Sequence, residues 1–121
     1  MLRKPRKDRD KVSKSHARAP KQEKELARRF GGQAVPGSGA GMMKGDVCVK
    51  GVARIEAKTT LKKSFSVTRA MLDKLDDAAF GAGEIPILVV EFLNAQGQPE
   101  REVALIDLGT LTDLIDAKKN D

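Results

Sequence analysis

Asp46-Val47-Cys48-Val49-Lys50-Gly51-Val52-Ala53-Arg54-Ile55-Glu56-Ala57-Lys58 is two short alternating runs on either side of a glycine. Successive side chains of a strand project from opposite faces, so alternation of this kind marks a strand that buries one face. Val47 and Val49 share a face opposite Asp46, Cys48 and Lys50, while Ala53, Ile55 and Ala57 line up opposite Arg54, Glu56 and Lys58. If the chain reverses at Gly51, both apolar faces must meet one core, which requires an odd-numbered loop. A loop of Gly51-Val52-Ala53 pairs Val47 with Ala57 and Val49 with Ile55. It also sets Asp46 opposite Lys58 and Cys48 opposite Glu56, so Asp46, Glu56 and Lys58 share the polar face. Two carboxylates and a lysine on neighbouring strands suit a divalent cation and a phosphodiester.

Upstream, Gly37-Ser38-Gly39-Ala40-Gly41 is a glycine-rich run. Its backbone and Ser38 are suited to a close approach to phosphate, and a plain flexible connection is the alternative reading. Before it, Gln22 to Phe30 reads as a helix that stops at Gly31-Gly32, with Leu26, Ala27 and Phe30 as its apolar residues. Glu23 falls in the middle of that apolar arc and Glu25 on the opposite side. A carboxylate aimed at a core needs a partner, either a cation, Lys58 or an interior salt bridge.

Downstream, Thr59 to Ser64 reads as a loop, and Val67, Met71, Leu75, Ala78 and Ala79 mark one face of a helix that ends near Gly81 and covers the sheet. Ile85 to Leu93 is almost unbroken apolar sequence, the pattern of a central strand buried on both faces. Gln96-Gly97-Gln98-Pro99 turns the chain into a strand over Glu100 to Asp107, and a short helix, Leu111 to Ala117, follows with Thr110 as its cap. The expected fold is α/β, a central sheet flanked by helices.

The 121 residues allow one domain of about 100 residues, which buries roughly two thirds of its unfolded surface. Such a core is modest, and dimerisation would help it. No apolar segment is long enough for a membrane span, and the basic N-terminus lacks the apolar stretch of a signal peptide, so a cytoplasmic location is expected. One cysteine, Cys48, and one histidine, His16, exclude an intrachain disulfide and argue against a dedicated zinc site. Cys48 reads as a small packed residue.

Charge is unevenly placed. Residues 1 to 20 hold eight Lys or Arg against Asp8 and Asp10, which equals the whole net charge of +6. With only Met1, Leu2 and Val12 as larger apolar residues, this tail is expected to lack fixed structure, leaving residues 21 to 121 as the domain. From Lys21 to Lys74 there are twelve basic and five acidic residues, and from Leu75 to Asp121 three and ten. The half that carries the acidic motif is therefore the basic half, as a polyphosphate substrate would require. Lys44, Lys62, Lys63, Ser64, Ser66 and Arg69 are candidate contacts to a nucleic-acid backbone, each of which also suits an ordinary surface position. The absence of Trp and Tyr argues against a stacking platform for single strands, and favours duplex or branched DNA.

Taken together, Glu23, the Gly37-Ser38-Gly39 loop, Gly45-Asp46-Val47, Ile55-Glu56-Ala57-Lys58 and the run Gly83 to Phe92 resemble the PD-(D/E)xK nuclease superfamily, and within it the small Holliday-junction resolvases of archaea and their phage relatives. The resemblance covers Gln22 to Asp107. Gly45 stands where the family pattern has proline, and the interval from Asp46 to Glu56 is short, which implies a tight hairpin. The resemblance implies a restriction-endonuclease-like core with a mixed sheet. It also implies Mg²⁺, with Mn²⁺ able to substitute, held by Asp46, Glu56 and the Ala57 carbonyl, and Glu23 completing the site or serving a second ion. Lys58 would orient the attacking water or stabilise the charge developing on phosphate. The implied activity is hydrolysis of a DNA strand to a 5′-phosphate and a 3′-hydroxyl, by a homodimer cutting a four-way junction symmetrically. A restriction- or repair-type endonuclease of the same superfamily, or a non-catalytic basic DNA-binding or packaging protein, are the alternatives.

Overall fold

In the computed structural model, described over residues 6–35 and 46–121, the chain runs α1 (Arg6–Phe30), β1 (Gln33–Ala34), β2 (Asp46–Val49), β3 (Ala53–Thr60), α2 (Arg69–Phe80), β4 (Ile85–Leu93), β5 (Pro99–Leu105) and α3 (Leu108–Lys119). Side chains are described for residues 14–35 and 47–121. The glycine-rich run with Ser38, together with Lys44 and Gly45, lies outside the described residues, as does the side chain of Asp46.

The five strands form one mixed sheet in the order β1-β2-β3-β4-β5, in which only the β3–β4 pair is parallel. That pair is joined through α2, since parallel neighbours need a crossover. Each face of the sheet has its own core. Leu26 of α1 packs with Val47, Ala53, Ile55, Ala57 and Val89 on one face, and Leu75 of α2 packs with Leu88 and Val90 on the other. The alternation along β4 thus feeds two cores at once, as expected for an apolar central strand. The α/β architecture with a mixed sheet flanked by helices is the expected one, and it is compatible with a restriction-endonuclease-like core.

The β2–β3 hairpin differs from expectation in register. Asp46 lies across from Glu56, Val47 from Ile55, Cys48 from Arg54 and Val49 from Ala53. The loop is Lys50-Gly51-Val52, one residue earlier than Gly51-Val52-Ala53. Two facts account for the difference. Gly51 takes φ +73° at the loop centre, a conformation that glycine adopts without strain. Ala53 is buried as a ladder residue, which a loop position would forfeit. Because the loop is still odd-numbered, the faces keep their identity, with Glu56 and Lys58 opposite the buried Ala53, Ile55 and Ala57.

The basic segment expected to lack fixed structure is helical from Arg6 onward, so α1 crosses the expected boundary at residue 20 without a break and carries Pro20 inside it. Proline ordinarily ends a helix because it lacks a donor and crowds the preceding turn. Here tertiary anchors hold both sides. Arg18 is buried and paired with Glu91 in the centre of β4, Lys14 donates to the Ala95 carbonyl, and Gln22 is fully buried. At the other end Gly31, at φ +69°, places the Gly32 N–H on the Ala27 carbonyl at 2.8 Å, closing the helix where glycine is expected to close it.

Further along, α2 begins at Arg69 behind Thr68, whose hydroxyl accepts from the Met71 N–H, so Val67 stands outside the helix. The last helix begins three residues earlier than the expected Leu111. Its N-cap is Asp107, not Thr110, and none of its residues is buried.

Candidate active site

β2 ends at Asp46, across from Glu56, whereas β3 continues to Thr60. Among the described residues the edge of β3 beyond Glu56 is therefore free of a β2 partner, and α1 occupies it. Gln22 donates from Nε2 to the Lys58 carbonyl at 2.9 Å, satisfying one of the exposed edge acceptors. The next residue on α1, Glu23, lines a pocket of about 270 Å³ together with His16, Ala57, Lys58 and Thr59.

Glu56 and Lys58, two apart on one strand, share a face, and Lys58 Nζ lies 3.0 Å from Glu56 Oε1. The glutamate is buried, while the side chain of Lys58 is 40 % exposed. The second oxygen, Glu56 Oε2, is buried with no hydrogen-bond partner among the described residues, and so is Gln22 Oε1. A buried carboxylate oxygen left unsatisfied is costly, which makes Glu56 Oε2 an atom that a ligand would satisfy. Glu23 is held above the usual carboxylate range, first by loss of water around it and then by the repulsion of Glu56. A cation would relieve both effects. The oxygens of Glu56, Glu23 and Gln22 are hard donors, the chemical type that Mg²⁺ prefers. Asp46, by its backbone register, stands next to Glu56 across the hairpin.

Of the expected site residues, the structure thus brings Glu23, Ala57 and Lys58 to one pocket, pairs Lys58 with Glu56, and places the backbone of Asp46 across from Glu56. Cys48 is not with them. Its thiol lies 3.3 Å from Glu84 Oε2, in a separate cluster where Glu84 also accepts from the Gly51 N–H at 3.1 Å and pairs with Arg54 at 3.1 Å. The reason is the two-residue shift of register, which moves Cys48 from Glu56 to Arg54. Burial pushes the Glu84 carboxyl up, but these three donors outweigh it and hold the group below the usual range.

No family model, curated protein or solved structure matches this chain. The site is therefore read from its own geometry.

The candidate backbone-binding residues divide. Lys62 and Lys63 sit at the end of β3, on the wall of a cleft of about 1010 Å³ floored by Leu61, Phe92 and Leu93, and Lys14 and Arg101 add two more cations to it. At about 3.3 Å per residue the cleft begins roughly 10 Å along β3 from Lys58. Ser64, Ser66 and Arg69 are exposed, and Arg69 lies 3.8 Å from Asp73 one helical turn on.

Sequence reasoning missed the residues that hold α1 against the sheet. The helix arc that faces inward is Arg18, Gln22 and Leu26, at intervals of four, with Glu23 half-buried beside it and not at its centre. Arg18 donates to both oxygens of Glu91 at 2.8 Å and also pairs with Glu25, while the Thr59 hydroxyl lies 3.1 Å from the same Glu91. The available signal was Glu91 itself, a carboxylate inside an otherwise apolar central strand, which required a cation from some other element.

Proposed function

We propose that this chain is a divalent-cation-dependent endonuclease of PD-(D/E)xK type that acts on branched or duplex DNA in the cytoplasm, with a four-way junction as the preferred substrate. The observation that carries this reading is the buried Glu56 carboxylate, half satisfied by Lys58 and half unsatisfied, with a second carboxylate, Glu23, in a pocket that Lys58 also lines.

In this reading Glu56, Asp46 and Glu23 hold Mg²⁺, with Mn²⁺ as a substitute and the Ala57 carbonyl as a further oxygen donor. When bound, the ion supplies Lewis acidity and lowers the pKa of water at the scissile phosphate. The protein does the rest by positioning. Gln22 pins the β3 edge through the Lys58 carbonyl, which fixes the strand from which Glu56 and Lys58 project. Lys58, already within 3.0 Å of Glu56 and partly exposed, is placed to offset negative charge that grows on the phosphate. Lys62, Lys63, Lys14 and Arg101 extend a cationic path from the site along the cleft.

The test is incubation of the purified protein with a synthetic four-way junction and a matched linear duplex, with and without Mg²⁺, alongside Asp46→Asn and Glu56→Gln. The reading expects paired nicks in the junction that require the ion and both acids, with DNA binding by Glu56→Gln largely intact. Equal cutting of both DNAs would point to a less selective nuclease. Binding without cutting under every divalent ion would replace the enzyme by a DNA-binding protein.

A further inference from the structure

Leu108, Leu111, Leu114 and Ile115 of α3 are 77, 41, 52 and 47 % exposed, and no residue of the helix is buried. At about 100° per residue the four lie within one arc of about 120°, with Asp113, Asp116 and Ala117 on the remaining surface. A helix of 12 residues is marginal in water by itself and draws its stability from packing of such an arc. The body of this chain does not supply that packing.

Charge along the same arc is polar in its distribution. Asp107, at the N-cap, stands at one end, and Lys118 and Lys119 in the last turn at the other. A second copy of α3 laid parallel would set like charges against each other at both ends. Laid antiparallel, with Leu111 across from Ile115, it sets Asp107 across from Lys119 and lets the stem of Lys118 cover Leu108. An independent observation favours the same arrangement. Asp107 and Asp76 of α2 line one small pocket, and neither belongs to an ion pair among the described residues, so a cation delivered there meets two carboxylates.

We propose that the stripe of α3 is a homodimer surface on which two copies pack their last helices antiparallel, Leu111 against Ile115, with Asp107 facing Lys119. A contact through one short helix from each copy is small beside standard interfaces, and a weak, concentration-dependent dimer is expected. It stands apart from the nuclease reading, because cleavage is no part of its test.

Sedimentation velocity of the full chain, from about 1 to 200 µM, should show a monomer passing to a dimer as concentration rises. Leu111→Glu and Ile115→Glu should each leave a monomer throughout, with the dilute-protein melting temperature changed little because no residue of α3 is fully buried in the monomer. Asp107→Lys and Lys119→Asp should each weaken the dimer by on the order of tenfold, and their combination should restore it. The carboxylate of Asp107 makes no capping hydrogen bond, so its replacement leaves the helix start intact. A monomer at every concentration, a dimer indifferent to Leu111→Glu, or failure of the charge exchange to restore association would each overturn the proposal.

Discussion

Glu56 and Glu23 show how much of a site depends on which oxygens are left over. Glu56 spends one oxygen on Lys58 and leaves the other buried without a partner, and Glu23 is held neutral to a higher pH than a glutamate in water. A carboxyl whose folded value is raised contributes stability that is complete below its unfolded value and is lost as pH rises through the folded value. At neutral pH and without a divalent ion, Glu23→Gln should therefore raise the melting temperature. The same substitution removes a negative oxygen donor and should weaken Mg²⁺ binding by on the order of tenfold, read by calorimetry. In the wild type, Mg²⁺ affinity should begin to fall at a pH above the ordinary glutamate range, as the proton competes for Glu23. A drop in stability at neutral pH with Mg²⁺ affinity unchanged would remove Glu23 from the site. The sharing of a face by Glu56 and Lys58 was legible in the sequence because it depends only on the two-residue period of one strand. The buried Gln22 was not, since amides give no periodic signal and its partner is a carbonyl 36 residues away.

Elements show where local rules yield to tertiary ones. The faces of β2 and β3 follow from alternation, but their register does not, because a shift by two residues preserves every face and changes every partner. Burial of Ala53 and the left-handed Gly51 settle that choice. In α1 the local signal was misleading. The scarcity of larger apolar residues before Lys21 suggested no fixed structure there, yet Arg18 is the residue that docks α1 on the sheet, through a Glu91 side chain that is fully buried. Breaking a buried ion pair from one side leaves an uncompensated charge, which costs about 3–5 kcal/mol. Arg18→Met should lose that much in urea unfolding. Arg18→Met with Glu91→Leu should recover most of it, since paired apolar groups of similar volume replace an ion pair at little cost. Equal loss in the single and double variants would assign the effect to packing.

At the scale of the whole molecule, charge and architecture are tied through α1. The first 13 residues carry six Lys or Arg against Asp8 and Asp10, and precede Lys14 and Arg18, the residues through which the helix holds the sheet. Removing residues 1–13 keeps Lys14 and Arg18, and with them the contacts to Ala95 and Glu91. If the DNA-binding reading holds, it should weaken binding at low salt and flatten the dependence of affinity on salt, because fewer counterions are released. Removing residues 1–20 takes Arg18 as well and should cost about 3–5 kcal/mol. A loss of stability already present in the shorter truncation would place anchoring contacts before Lys14. Among the described residues no helix is long and apolar enough to cross a membrane, and α3 leaves its apolar arc to the outside.

Alternation and apolar runs were enough to establish an α/β chain with a β2–β3 hairpin, a doubly buried β4, a covering α2 and a polar face bearing Glu56 and Lys58, because each depends on residues within one or two turns or strands. Three things were settled only in the folded chain. They are the hairpin register, the extension of α1 through Pro20 to an Arg18–Glu91 pair, and the edge at which Gln22 and Glu23 meet β3. The last two join segments far apart in sequence and draw their energy from burying polar groups together, while the register turns on burying Ala53 and on Gly51, a choice that alternation alone leaves open.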